Sequence, residues 1–315
     1  MSGVSNARAS GRPRWTTASG IRALIRERPI VPLLGLLAIL VVVSELIRPG
    51  IVTPNWAGVM IRAAVPLAIL AGCQTITMLT AGIDLSVGAV ASMSGFLVAT
   101  IVGDTGLAVA IIIALVISGL VGLVNGIGAG VFKVHPLIMT LAMSLVVLGL
   151  ANVWQLERVQ TGSGVPGEFR DLGANMIVQG IPVNLLLFIP LALLIIFTLN
   201  RTGFGRLLYA IGDNPIASRL SGAKSWQVLT VLYVVSGMLA GIAGFLLSGL
   251  TNTASVTLAD SALLPSVAAA VIGGTSIFGG RGTYTGTIVG ALILTVISSI
   301  LSSLGYPEAV RQILF

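Results

Sequence analysis

The sequence predicts an all-helical, polytopic integral membrane protein, and three observations carry that reading. Hydrophobic residues make up 56% of the 315 residues and charged residues only 9%, with a mean hydropathy of +1.05, whereas a soluble domain is about a quarter charged. The apolar residues fall into long runs, most of them reaching the ~20 residues that cross the hydrocarbon of a bilayer. Between those runs the basic residues gather on alternate sides, the asymmetry that orients a polytopic chain.

Arg8, Arg12, Arg14, Arg22, Arg26 and Arg28 crowd residues 1–29, a basic segment expected to remain cytoplasmic beside the first span at 30–47. No small-x-small cleavage site follows Ile47, so an uncleaved anchor is expected rather than a signal peptide. Residues 30–315 then form the transmembrane domain, with further spans expected at 57–79, 85–102, 107–131, 137–154, 183–199, 228–250, 262–277 and 283–304. A tenth would begin near Ala309 and is cut short at Phe315, giving about ten spans with the last truncated. The run at 262–277 is short and edged by Gly and Pro, so it is expected to be discontinuous or re-entrant.

Threading from a cytoplasmic N-terminus places 80–84, 132–135, 200–226 and 278–282 inside. With residues 1–29 they hold twelve of the seventeen basic residues, and Arg48, Arg62, Arg158, Arg170 and Arg311 remain outside. The formal charge of +7 is thus the signature of membrane orientation, and no nucleic-acid partner is expected. Gly122, Gly126 and Gly130, Gly237 with Gly241, and Gly286 with Gly290 stand at small-xxx-small spacing, which lets helices in lipid approach closely.

One carboxylate stands out. Between Arg62 and Lys133 the only Asp, Glu, Lys or Arg residues are Asp84 and Asp104. Asp84 lies in Thr80-Ala-Gly-Ile-Asp-Leu-Ser-Val-Gly88, where Gly82 breaks a helix and Ser86 and Gly88 leave room for a close neighbour. A carboxylate is expensive in hydrocarbon, so Asp84 should either cap the next helix or line a protein-walled path near the cytoplasmic face. Broken helices of this kind line transport paths. Gly273 and Gly274 head a loosely similar interruption, so a two-half inverted pseudo-repeat is expected, with Gly82, Asp84, Ser86, Gly88, Gly273 and Gly274 as the candidate path or gate.

The loop at 200–226 carries the second signal. Asn214 is a good N-cap, Pro215 suits the first helical position and Gly222 suits the residue beyond the helix end. These predict a two-turn helix outside the membrane, with Ile216 and Leu220 on one face. A partner protein or the lipid surface would cover that face. On the outer side, 156–182 carries Glu157, Arg158, Glu168, Arg170 and Asp171, either solvated or receiving a soluble partner.

Catalytic chemistry is not expected. Gly222-Ala-Lys-Ser225 lacks the Gly-Lys pair and the upstream Gly of a phosphate loop. His135 is the only histidine and Cys73 the only cysteine, so neither a metal site nor an acid–base constellation is visible.

Gly82-Ile-Asp-Leu-Ser-Val-Gly88 and Ile211-Gly-Asp-Asn-Pro-Ile-Ala-Ser-Arg-Leu-Ser-Gly222 resemble the two signature stretches of the permease subunits of bacterial ABC importers for ribose, xylose, arabinose and related sugars. Lys133-Val-His-Pro-Leu-Ile-Met-Thr-Leu141 and Val271-Ile-Gly-Gly-Thr-Ser-Ile-Phe-Gly-Gly-Arg-Gly282 are similar to two further blocks of that family. The resemblance runs from about Pro54 to the end; His135 departs from the uncharged residue the family often has there. It implies a multi-pass protein of the bacterial inner membrane that pairs with a second permease copy or homologue. It also implies a periplasmic sugar-binding protein outside and two ATPase subunits inside. ATP and Mg would be bound by the ATPase, with no cofactor in this chain. Carried over, the coupling residues toward the ATPase are Gly212, Asn214, Pro215, Ala217, Arg219 and Gly222. Two other readings stay open: a permease of the branched-chain amino acid or urea branch, and a stand-alone ion-coupled transporter using Asp84 or Glu45.

Overall fold

The computed structural model describes residues 30–158 and 164–307. The basic segment 1–29 and the span expected near Ala309 lie outside the described residues. Among the described residues seven helices are long and apolar enough to cross a membrane, or eight if one bent pair counts as a single span.

In chain order the first helices are α1 (Ile30–Ile47), α2 (Pro54–Met78), α3 (Val87–Thr105), α4 (Leu107–Gly130) and α5 (Pro136–Arg158). An excursion follows: α6 (Gly167–Ala174), then a two-residue turn between β1 (Met176–Val178) and β2 (Ile181–Pro182), which pair antiparallel. The sequence reading expected only a charged loop there. Phe169 of α6 stacks on Phe245 at 5.0 Å between ring centroids, which seats the excursion on the helix bundle.

The second half holds α7 (Leu185–Arg201), α8 (Gly203–Asp213), α9 (Pro215–Leu220), α10 (Ser225–Thr251), α11 (Asp260–Ile272) and α12 (Tyr284–Ser303). The loop expected at 200–226 is therefore mostly helical. Thr202 caps α8 by accepting from the Gly205 N–H at 3.2 Å, and α8 leaves α7 at 66°. The run expected to span at 262–277 forms a 13-residue helix that stops at Ile272. At 1.5 Å per residue it covers about 20 Å, too little to cross the hydrocarbon.

α10 is the hub, packed against α2, α3, α4 and α6. The small-residue spacings explain how. A Cβ on Gly122, Gly126 or Gly130 of α4 would meet the α10 backbone at Tyr233, Thr230 or Trp226, and one on Gly244 would meet the Ala91 carbonyl of α3. Without a hydrophobic drive between helices in lipid, this backbone proximity supplies much of the association. Gly286 and Gly290 do the same for α12 against α11. By contrast α1 lies against α12, and Ser44 is its only buried residue.

Candidate functional site

The chain turns sharply after α2. Ala81 has φ +60°, in the left-handed region that most residues avoid, and the Gly82 N–H returns to the Thr77 carbonyl at 3.1 Å. Gly82 is needed there because the Tyr233 hydroxyl lies 2.9 Å from where a Cβ would stand. Residues 82–86 then run back beside the end of α2 as irregular backbone inside the bundle. At membrane depth such backbone survives only if the protein satisfies its polar groups.

Two side chains do so. The Gln74 amide donates to the Asp84 carbonyl at 2.8 Å and accepts from the Asp84 N–H at 3.3 Å. Thr140 Oγ1 donates to the Ile83 carbonyl at 3.2 Å and accepts from the Leu85 N–H at 3.0 Å. Gln74 and Thr140 are both fully buried.

Asp84 is 2% exposed. Its Oδ1 accepts from the Ser86 hydroxyl at 2.6 Å and from the Ser86 N–H at 3.0 Å, while Oδ2 accepts from the Ser236 hydroxyl at 2.9 Å. Asn125 in turn donates to Ser86 Oγ at 2.9 Å. Three hydrogen bonds hold the Asp84 carboxyl group, and among the described residues no cation pairs with it. The site thus gathers α2, the start of α3, α4, α5 and α10 around one acid.

This differs from the expected placement in two ways. The expected place is near the cytoplasmic face; the carboxyl group instead lies part-way along the bundle, bonded to Ser236, the twelfth of 27 residues in α10. The N-cap of α3 is Ser86; Asp84 stands two residues earlier and supports that start by taking the Ser86 N–H. Gln74, Asn125, Thr140 and Ser236 escaped the sequence reading. A buried amide or hydroxyl in an apolar run was their only signal, and nothing local ties them to position 84.

The remaining path candidates sit around this centre. A Cβ on Gly88 would touch the Ala259 carbonyl and Leu263 at 3.4 Å, so Gly88 faces the start of α11. Gly273 lies against α12 at Thr287, and Gly274, at φ +90° with open space around it, ends α11. These two reach the Asp84 centre through α2, where Thr75 and Thr287 share a 2.7 Å hydroxyl contact.

At residues 214–222 the local reading matches the structure. Asn214 Oδ1 accepts from the Ile216 and Ala217 N–H groups at 3.1 and 2.9 Å, Pro215 opens α9, and Gly222 follows it at φ +87°. Arg219 Nε reaches back to the Pro215 carbonyl at 3.3 Å. Ile216 is 66% and Leu220 85% exposed, so the face they share is bare. Behind α9, Asn214, Ser218, Lys224 and Gln227 line a cavity of about 700 Å³. Gly212 points the other way, into the membrane body against Leu79. His135 is exposed, and its Nδ1 accepts from the Leu137 N–H at 3.3 Å.

A profile of the family described as branched-chain amino acid transport system / permease component matches residues 57–315. The chain belongs to that permease family. The permease is 35% identical over 275 residues to the ribose import permease protein RbsC of Bacillus subtilis (strain 168), covering 87% of this chain and 85% of that protein. It is 32% identical to RbsC of Escherichia coli (strain K12) over 96% of this chain and 93% of that one. With the fructose import permease protein FrcC of Rhizobium meliloti it shares 32% identity over 85% of this chain and 76% of that protein. No solved structure matches the permease significantly.

Proposed function

We propose that this permease is the membrane-spanning subunit of an ATP-driven importer for a sugar, handed over outside the cell by a soluble binding protein. The observation that carries the sugar is the set of relatives: the family description names branched-chain amino acids, but the similar full-length relatives are named as ribose and fructose permeases. The partner ATPase is supported by α9, whose exposed Ile216 and Leu220 leave an apolar face that a solvated loop does not need.

In this reading two permease copies, or this one and a homologue, sit in the bacterial inner membrane with cytoplasmic N-termini. An ATPase subunit docks on each α9 through Asn214, Pro215, Ala217, Arg219 and Gly222. ATP is bound and hydrolysed on that separate chain, which shifts the pair between outward-open and inward-open states. Gly82, Asp84, Ser86, Gly88, Gly273 and Gly274 mark the interrupted helices that change shape between those states. The outer excursion at 164–182 receives the binding protein.

The test is uptake into vesicles holding the permease with its ATPase and binding protein. Labelled ribose or fructose should enter only with ATP on the cytoplasmic side and should still enter when the proton gradient is collapsed. Entry of leucine or urea in place of sugar would move the assignment to the other branch of the family. Uptake that follows the gradient and ignores ATP would make the chain an ion-coupled transporter.

A further inference from the structure

Three stretches of main chain far apart in sequence meet without side chains between them. The Gly280 N–H donates to the Leu79 carbonyl at 3.0 Å. A Cβ on Gly212 would collide with that same carbonyl oxygen and would stand 2.6 Å from the Gly280 nitrogen. One on Gly279 would stand 2.8 Å from the Gly212 carbonyl oxygen and 3.1 Å from the Ala81 nitrogen. Gly279 and Gly280 have φ of +87° and +70°, a conformation glycine adopts without strain. Tyr209, one turn before Gly212 on α8, donates its hydroxyl to the Gly282 carbonyl at 2.8 Å.

Each stretch belongs to a different working part. Gly212 lies at the end of α8, two residues before the Asn214 cap of α9. Leu79 and Ala81 form the turn that leads to Asp84. Gly279 to Gly282 close the second interruption and hand over to Thr283, which caps α12 by accepting from the Gly286 N–H. We propose that this backbone junction, with Gly212, Gly279, Gly280 and Tyr209 as its positioning residues, is the contact through which the cytoplasmic loop moves both interrupted helices at once.

The physical ground is the absence of slack. Where long side chains separate two elements, rotamer changes absorb a displacement; where main chains touch, a shift of one must shift or break from the others. A push on α9 therefore reaches the Asp84 turn and the start of α12 together. The inference rests on α9 being the ATPase-docking helix, so docking and transport are read separately in its test.

Gly212→Ala tests it, because its methyl would collide with the Leu79 carbonyl oxygen and force the junction apart. In the assembled importer the ATPase should stay bound and hydrolyse ATP, while sugar uptake should fall at least several-fold. Normal uptake in that variant, or release of the ATPase by it, would overturn the proposal. If the variant does not assemble, Tyr209→Phe decides. It removes only the hydroxyl bond to Gly282 and should lower the sugar moved per ATP hydrolysed with docking intact. An unchanged ratio would overturn the relay, whereas loss of docking in the wild-type chain would count against the importer reading.

Discussion

Replacing Gln74 by Leu tests whether the irregular backbone at Asp84 is held by a single side chain. The substitution keeps a good helix former of similar bulk in α2 and removes both the 2.8 Å bond to the Asp84 carbonyl and the 3.3 Å bond from the Asp84 N–H. Both backbone groups stay buried with no water to turn to. An orphaned buried group costs about 1–3 kcal/mol, and the longer bond sits at the low end, so the pair should cost about 2–4 kcal/mol. For a chain of this size that lowers Tm by about 3–6 °C. The comparison is Thr77→Val, equally buried and three residues on. The Thr77 hydroxyl bonds only to carbonyls of its own helix, those of Cys73 and Gln74, so its loss orphans no irregular backbone. Thermal unfolding of the purified variants in detergent, followed by tryptophan fluorescence, reads the difference. Equal Tm values for Gln74→Leu and Thr77→Val would refute the idea that Gln74 stands in for a missing backbone partner.

The remaining expectations concern the acid and the loop. Asp84→Asn can keep its oxygen toward Ser86 and offer its amide to the Ser236 hydroxyl, so membrane expression and ATPase docking should persist while sugar uptake falls several-fold; wild-type uptake at matched expression would leave Asp84 a purely structural role. Asp84→Ala strands the Ser86 N–H and should lower expression as well, which quantitative immunoblotting of membranes would show. Replacing Asn214 and Pro215 together by Gly removes both bonds of the α9 cap and the fixed φ at its first position, so the ATPase should no longer co-purify while the permease stays in the membrane. Undiminished co-purification would detach α9 from docking.

Which parts of this could be read from the chain follows from how far apart the deciding residues stand. Asn214, Pro215 and Gly222 act on backbone within a few positions of themselves, so the residue types alone give α9 and its limits. Gly82, Gly273 and Gly274 likewise mark their interruptions directly. The Asp84 centre is the opposite case, because Ser236 and Asn125 lie 152 and 41 residues away and meet the site only after α4 and α10 have packed. Apolar periodicity says nothing about depth, which is why the carboxylate was expected at the cytoplasmic end. The helix at Gly203–Asp213 was hidden by its own glycines and by Arg206, which read as loop until Thr202 is seen to cap it.

The peripheral position of α1 bears on how the sequence can change over time. Its apolar side chains are mostly exposed on the surface of this chain, so any apolar residue of similar length serves nearly as well as another, and substitutions there should accumulate with little consequence. α10 is as apolar to the eye, yet a single methyl at Gly237 would strike the Ser118 carbonyl and one at Gly244 the Ala91 carbonyl. Two helices, both marked as spans by a hydropathy plot, therefore drift at different rates: one is a replaceable membrane anchor, and the other is written almost letter by letter by its neighbours.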